Sequence, residues 1–374
     1  KTARIETFDD ALIGLLSLDT GDVEVLVTGG SQPQYAPTGH IIYGRDFQLF
    51  TVPFDLAELK VEGTPSVVLD GVYTIDVNGS VQSALSAGGD LAYIPVEGAI
   101  RDLELVWFHR SGRTDRIEFS EESFYEPTIS PDGRRIAGRI TAANDKIHLF
   151  DLERQILTRL TNTPGNDGTP VWSPDGSQLA YINDRDGSQD IFVIATDGGT
   201  PARRLVTGAT DDIPSSWTPD GTRLLFTRFG DSGRGQVWIA PVDGSAEPQP
   251  VWEDEYSNIF ARISPDGRWI VYRSNSAGEG NVFVRPFERP GGPVRVSIAG
   301  GRRHRWAPDG TTIYFIAGDT DRAMMAASVA TDGGLRVGVP EVVFELDEQV
   351  FGPLPLAPDG ERFLANRTRP GTEW

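Results

Sequence analysis

The chain has no cysteine, so it carries no disulfide, no thiolate metal site and no cysteine nucleophile. Its apolar runs are strand-sized, and none approaches the roughly 18–20 residues a membrane-spanning helix requires. No signal-peptide pattern stands at its start. Lysine is almost missing: Lys1, Lys60 and Lys146 are the only ones, and arginine supplies the rest of 34 basic residues set against 54 acidic ones. The resulting net charge of −20 argues against nucleic acid and against anionic membrane surfaces as main partners, since both need a basic footprint. Catalytic signatures are absent as well. There is no Gly-x-Ser-x-Gly elbow, no His-Glu-x-x-His pair, no Walker loop and no Gly-x-Gly-x-x-Gly fingerprint. No catalytic residue is assigned on this basis, and the chain reads as a protein without catalytic activity of its own, the alternative being an independent hydrolase that uses carboxylates and a metal.

What is present is a turn used again and again. Ser130-Pro131-Asp132-Gly133 returns as Ser173-Pro174-Asp175-Gly176, Thr218-Pro219-Asp220-Gly221, Ser264-Pro265-Asp266-Gly267, Ala307-Pro308-Asp309-Gly310 and Ala357-Pro358-Asp359-Gly360. Weaker copies stand at Ala36-Pro37-Thr38-Gly39 and Ser86-Ala87-Gly88-Gly89. Proline presets the turn, aspartate closes it by a local hydrogen bond, and glycine accepts positive φ. Short apolar runs flank each copy, and a second turn follows about twenty residues later, so each unit reads as four antiparallel strands. The unit recurs every 43–50 residues, which is the signature of a β-propeller.

Eight such turns and eight outer hairpins predict an all-β, eight-bladed propeller of four-stranded antiparallel blades, with a seven-bladed ring as the alternative. The last unit, 351–366, has its first two strands and then ends. The N-terminal hairpin, 11–28, supplies an outer pair without an inner one. The expectation is that these two halves join, closing one domain over 1–374 with the other blades at 31–70, 80–120, 124–161, 167–207, 212–252, 258–298 and 302–345.

The repeat Trp172-Ser173-Pro174-Asp175-Gly176-Ser177-Gln178-Leu179-Ala180-Tyr181, with Asn183-Asp184-Arg185-Asp186-Gly187 and Asp190-Ile191-Phe192-Val193 after it, resembles the TolB-type, WD40-like propeller repeat. More narrowly, three segments resemble the propeller that follows the kinase and membrane segments of many bacterial serine/threonine kinases. These are Gly29 to Tyr43, Val52-Pro53-Phe54-Asp55-Leu56, and Ile263 to Asn275 with Val284-Arg285-Pro286-Phe287. That resemblance implies an extracytoplasmic sensing or protein-binding module. Similar repeats occur in secreted proteins and in peptidases of the prolyl oligopeptidase type, so a kinase or peptidase domain elsewhere in a longer protein is the alternative setting. Fold alone does not choose among these roles.

Propeller geometry places the Pro-Asp-Gly turns on one face and the starts of the inner strands on the other, where ligands commonly meet the channel mouth. The candidate ligand-binding residues there are Gln32, Gln82, Glu126, Asp167, Asp212, Asn258, Arg302, Arg303 and His304. Arg302-Arg303-His304-Arg305 is a basic cluster in an acidic chain. It is read as a contact for an anion or carboxylate, since arginine offers bidentate donors. The plainer alternative is pairing with Glu126, Asp167 or Asp212 of other blades. Trp172, Trp217 and Trp306 share one place, two residues before the proline, and read as core packing between blades. Asp184 to Asp190 resembles a short oxygen-ligand loop for calcium but lacks a downstream bidentate glutamate, and reads first as a polar turn. No other cofactor or metal is expected. The partner is expected to be a protein, a peptide or a small ligand held by the loops of the mouth face, without insertion of this chain into a membrane.

Overall fold

A computed structural model of the chain describes residues 11–45, 48–72, 74–75, 80–95, 103–118, 124–140, 145–230, 232–278, 280–318, 322–332, 334–346 and 350–369. Every regular element among them is a β-strand. The chain divides into two compact units, one within residues 1–101 and one within 102–372. The single domain expected from the repeats is therefore two.

The larger unit contains five four-stranded sheets and one five-stranded sheet. Blades one to five follow the chain. Blade one is Phe124–Ile129, Arg135–Ile140, Lys146–Asp151 and Ile156–Arg159. Blade two is Asp167–Trp172, Gln178–Asn183, Asp190–Ala195 and Arg203–Val206. Blade three is Asp212–Trp217, Arg223–Phe229, Gly235–Pro241 and Gln249–Pro250. Blade four is Asn258–Ile263, Trp269–Ser274, Asn281–Pro286 and Val294–Arg295. Blade five is Gly301–Trp306, Thr312–Ala317, Ala323–Ala330 and Arg336–Val337, with Glu341–Glu345 also paired to its third strand. Blade six joins Val350–Phe351 and Arg362–Thr368 to Leu103–His109 and Thr114–Arg116.

The turns explain why the sequence folds this way. Ser130, Ser173, Thr218 and Ser264 each donate a hydroxyl hydrogen bond of 2.5–2.6 Å to the aspartate two residues on. The same oxygens accept the backbone N–H five residues on, at 2.9–3.1 Å. Each glycine sits at φ between 71° and 74°, a conformation that penalises any residue with a Cβ. A methyl group added to Gly176 would lie 3.5 Å from Pro131, and the same contact links Gly221 to Pro174, Gly267 to Pro219, Gly310 to Pro265 and Gly360 to Pro308. Gly133 meets Pro358 in the same way at 3.7 Å. Each turn thus packs on the turn before it, and the first packs on the last.

The core closes the same circle. Phe124, Ile136 and Phe150 of blade one pack on Leu105, Trp107 and Leu364 of blade six, whose Val106, Phe108 and Phe363 pack on Tyr314, Ile316 and Met324 of blade five. Four further apolar clusters join blades one to two, two to three, three to four and four to five. The ring therefore has six blades, and the eight-bladed and seven-bladed expectations are corrected.

The closing strand is also corrected. Arg362–Thr368 pairs with Leu103–His109 over a seven-residue register, Leu103 with Thr368 through His109 with Arg362. The hairpin Leu12–Leu16 and Val23–Thr28 pairs only with itself. The reason lies in burial. A middle strand of a blade is covered on both faces, and Leu103 to Phe108 is a continuous apolar stretch, Glu104 apart, that is buried throughout. The N-terminal hairpin buries Ile13 and Val27 but leaves Leu12, Leu16, Val23 and Val25 more than half exposed. One covered face does not fit the middle of a blade.

The smaller unit is built around a sheet of Ser31–Ala36, His40–Arg45 and Gln48–Asp55, the last flanked by Lys60–Val61 and Ser66–Asp70. The N-terminal hairpin packs on it through Ile13, Val27, Tyr43, Phe50 and Val52. Ser83–Leu85 and Leu91–Tyr93 form a separate hairpin. The weaker turn copies are thus real hairpins, but neither Gly39 nor Gly89 has a proline beside it. The proposed 80–120 blade accordingly splits, its second half belonging to blade six.

The turn chemistry predicts an acid response. Hydrogen bonds from Ser173 and Thr218 hold the carboxyls of Asp175 and Asp220 below the ordinary aspartate range. A lowered folded-state value means stability that is complete above the unfolded value of about 3.9 and lost as pH falls through the folded one. Asn keeps the acceptor without the titration. Urea unfolding of Asp220→Asn between pH 5 and 2.5 is expected to lose less stability on acidification than the wild-type protein.

Candidate functional site

The first strands of blades one to five are innermost and contact one another in succession. Those of blades one to five carry the same irregularity. The pairing register slips at the third or fourth residue, and the residue at the slip is left-handed: Glu126 at φ 51°, Thr169 at 49°, Phe260 at 56° and Arg303 at 55°. Bulges of this kind re-aim a side chain, and strain of this kind persists where its surroundings enforce it. In blade three the place is taken by Pro214, which cannot be left-handed, and the register still slips there.

Side chains then tie each inner strand to the next. Trp172, Trp217 and Trp306 are 6–8% exposed, and their indole N–H groups donate to the carbonyls of Thr128, Val171 and Arg262 on the preceding blade. The tryptophans pack between blades, as their shared position implies, and also link them by hydrogen bonds. Glu126 accepts the N–H of Thr169 at 2.7 Å, and Thr227 accepts that of Phe260 at 2.9 Å.

The structure separates the nine candidates. Asp167, Asp212 and Asn258 are 0–3% exposed and are bonded to nearby protein groups. Asp167 accepts from Thr161 at 2.6 Å and Asn183 at 2.7 Å, and Lys146 Nζ lies 3.3 Å away. Asp212 takes a two-pronged contact from Arg228, both arms 2.8 Å. Burial pushes both carboxyls above their ordinary value despite these partners. Asn258 donates to Asp254 at 2.7 Å. Glu126 is engaged by Thr169 and lies 3.7 Å from Arg139. In the smaller unit, Gln32 accepts the N–H of Val81 at 2.6 Å and Gln82 donates to Ser80 at 3.0 Å. These six are engaged by the scaffold.

The cations are different. Glu126 and Asp212 pair with Arg139 and Arg228 of their own blades and Asp167 with Lys146 of the preceding one, so the expected pairing of these three with the Arg302–Arg305 cluster does not form. Among the described residues no carboxylate lies within 4.0 Å of Arg262, Arg303 or Arg305. Arg262 donates to the carbonyl of Ser215 at 3.2 Å, and Arg305, 8% exposed, donates to that of Pro353. Arg303 is reachable by solvent at the left-handed position. Burial, then the charges of Arg302 and Arg322, push the Arg303 guanidinium down to about 10. Burial, then Arg262 and Arg303, lower Arg305 further. His304 is 2% exposed, and its Nε2 lies 2.8 Å from the carbonyl of Phe260. Burial, then Arg262, push it down to about 3, so it is neutral. The result is a group of guanidiniums, Arg262, Arg303 and Arg305, with no carboxylate within 4.0 Å among the described residues, inside a chain of net charge −20.

Arg262 was missed by residue-type reasoning, yet the repeat marks it. It stands three residues before Pro265, as Arg305 stands three before Pro308. In the Asp184 to Asp190 loop, Asn166 donates twice to Asp184, and Arg204 contacts Asp190 at 3.0 Å and also Asp186. Of the two Asn-x-Ser/Thr sequences, Asn78 lies outside the described residues. Asn366 is 2% exposed and donates to Phe124, so its amide is not available for modification.

Comparison with known proteins supports the fold. An uncharacterized protein of Agrobacterium fabrum, Atu1656, is 27% identical over 212 residues, which are 50% of this chain and 68% of that protein. The uncharacterized peptidase YuxL of Bacillus subtilis is 31% identical over 201 residues, 41% of this chain but 30% of the relative, so the likeness covers under a third of that protein. A solved TolB-type structure from Agrobacterium tumefaciens is similar in fold, with a TM-score of 0.58 at 21% identity, over 72% of this chain and 99% of its own. Residues 91–355 match the TolB beta propeller domain, and the chain belongs to that family.

Proposed function

We propose that this chain is a non-catalytic binding module whose ring presents Arg262, Arg303 and Arg305 to an anionic group of a small ligand, a peptide or a protein. One observation carries the reading: these guanidiniums are concentrated on the inner strands of blades four and five with no carboxylate near them among the described residues. An uncompensated buried charge costs several kcal/mol, and a bound anion offsets that cost. Rigid display on a closed ring suits recognition, and an extracytoplasmic setting suits a chain without cysteine. The test uses tricarballylate, a tricarboxylate without a hydroxyl group. In low-salt buffer at pH 7.5 it is expected to raise the melting temperature saturably. Ligand at 100 times its dissociation constant adds about 2.7 kcal/mol, several degrees for a unit of this size. Arg303→Gln, at an exposed position, is expected to abolish the rise. No rise, or an equal rise in Arg303→Gln, overturns the reading.

A second reading rests on the likeness to the peptidase YuxL: the chain serves as the propeller portion of a larger peptidase, with a larger kinase as the further setting. The sequence adjoining the chain in its gene decides this, since an α/β-hydrolase or kinase domain there supports it and its absence removes it.

A further inference from the structure

The cationic site also contains one group that cannot serve a bare anion. The carbonyl of Phe260 only accepts hydrogen bonds, so His304 Nε2, 2.8 Å away, must carry the proton. The ring is neutral, and its Nδ1 is therefore an unprotonated acceptor. That atom is buried and has no hydrogen-bond partner, and the side chain as a whole is 2% exposed. Arg305 Nε, on the next residue, is a buried donor that is likewise unpartnered. A donor and an acceptor without partners thus stand on adjacent residues, and the charges of Arg262 and Arg305 act on His304. A carboxylate or sulfate oxygen brings only lone pairs. It satisfies the guanidiniums and leaves Nδ1 facing nothing it can accept. An anion with a hydroxyl or N–H beside its charge satisfies both.

We infer that the site prefers an anion bearing a hydrogen-bond donor next to its charged group, as in a hydroxycarboxylate, with the guanidiniums of Arg262, Arg303 and Arg305 on the charge and His304 Nδ1 accepting from the donor. The inference rests on the anion-binding reading and specifies its ligand class. Its physical basis is the asymmetry of specificity: a site that hydrogen-bonds a ligand hydroxyl discriminates strongly against the analogue lacking it, because a buried polar atom is then left unpaired.

Citrate and tricarballylate test it on the full chain by titration calorimetry at pH 7.5, where both carry three carboxylates and differ only by one hydroxyl. Citrate is expected to bind at least tenfold more tightly. In His304→Phe the two are expected to bind equally, at about the strength of tricarballylate on the wild-type protein. If that variant does not fold, the two-ligand comparison on the wild type decides alone. Equal binding of both ligands by the wild type overturns this inference and leaves the anion-binding reading standing. Failure of both to bind overturns the two together.

Discussion

Asp212→Ala is expected to lower the stability of the ring by about 3 kcal/mol, measured as a shift in the urea midpoint at unchanged slope. Asp212 is fully buried, and Arg228 grips both of its oxygens at 2.8 Å. Removing the carboxylate leaves Arg228 half-sequestered over the rings of Phe226 and Trp238 with no countercharge. The pair itself is not a large source of stability, since desolvation outweighs attraction for Asp212 and raises its carboxyl above the ordinary value. Breaking one side is what costs. The double variant Asp212→Leu with Arg228→Met, which removes both charges, is therefore expected to recover most of the loss. If the double variant is as unstable as Asp212→Ala, the pair contributes by geometry and not by charge balance.

That outcome would also explain why Asp212 misleads a reader of the sequence. An aspartate at the start of an inner strand, next to a channel mouth, has the right chemistry for a ligand contact. What the residue string does not show is that Arg228, sixteen positions on, faces it across the adjoining strand, Asp212 pairing directly with Arg228. Asp167 is hidden in the same way by Lys146 of the preceding blade and Asn183 of its own. The blade itself was legible because its rule is local: a Pro-Asp-Gly turn, an apolar strand on each side and a fixed period. Closure was not legible in the same way, because it depends on residues far apart. Leu103–His109 meets Arg362–Thr368 across more than 250 positions, and the clue was burial on both faces, readable in the unbroken run Leu105-Val106-Trp107-Phe108. The two weak turns at Gly39 and Gly89 imitate the repeat and inflate the count, although neither packs against a proline. The basic cluster was visible as a cluster. That Arg303 and Arg305 have no carboxylate within 4.0 Å among the described residues was visible only once Glu126, Asp167 and Asp212 had found other cations.

The central claim is that the arginines of blades four and five are held for an anion and not for the fold. Arg305→Met separates the two. Arg305 is 8% exposed, gives one hydrogen bond to the carbonyl of Pro353, and lies in the field of Arg262 and Arg303. Methionine fills a similar volume without charge. Losing the hydrogen bond costs about 1 kcal/mol, whereas removing an uncompensated buried cation and replacing it with an apolar side chain gains about 1–4 kcal/mol. The measurement is the urea unfolding free energy of wild type and Arg305→Met, each with and without saturating tricarballylate. Without the anion, Arg305→Met is predicted to be the more stable by up to about 3 kcal/mol, and with it the difference is predicted to close or reverse. An Arg305→Met protein that is less stable without the anion, together with equal stabilisation of both proteins by it, would show that Arg305 serves the scaffold and would contradict the account.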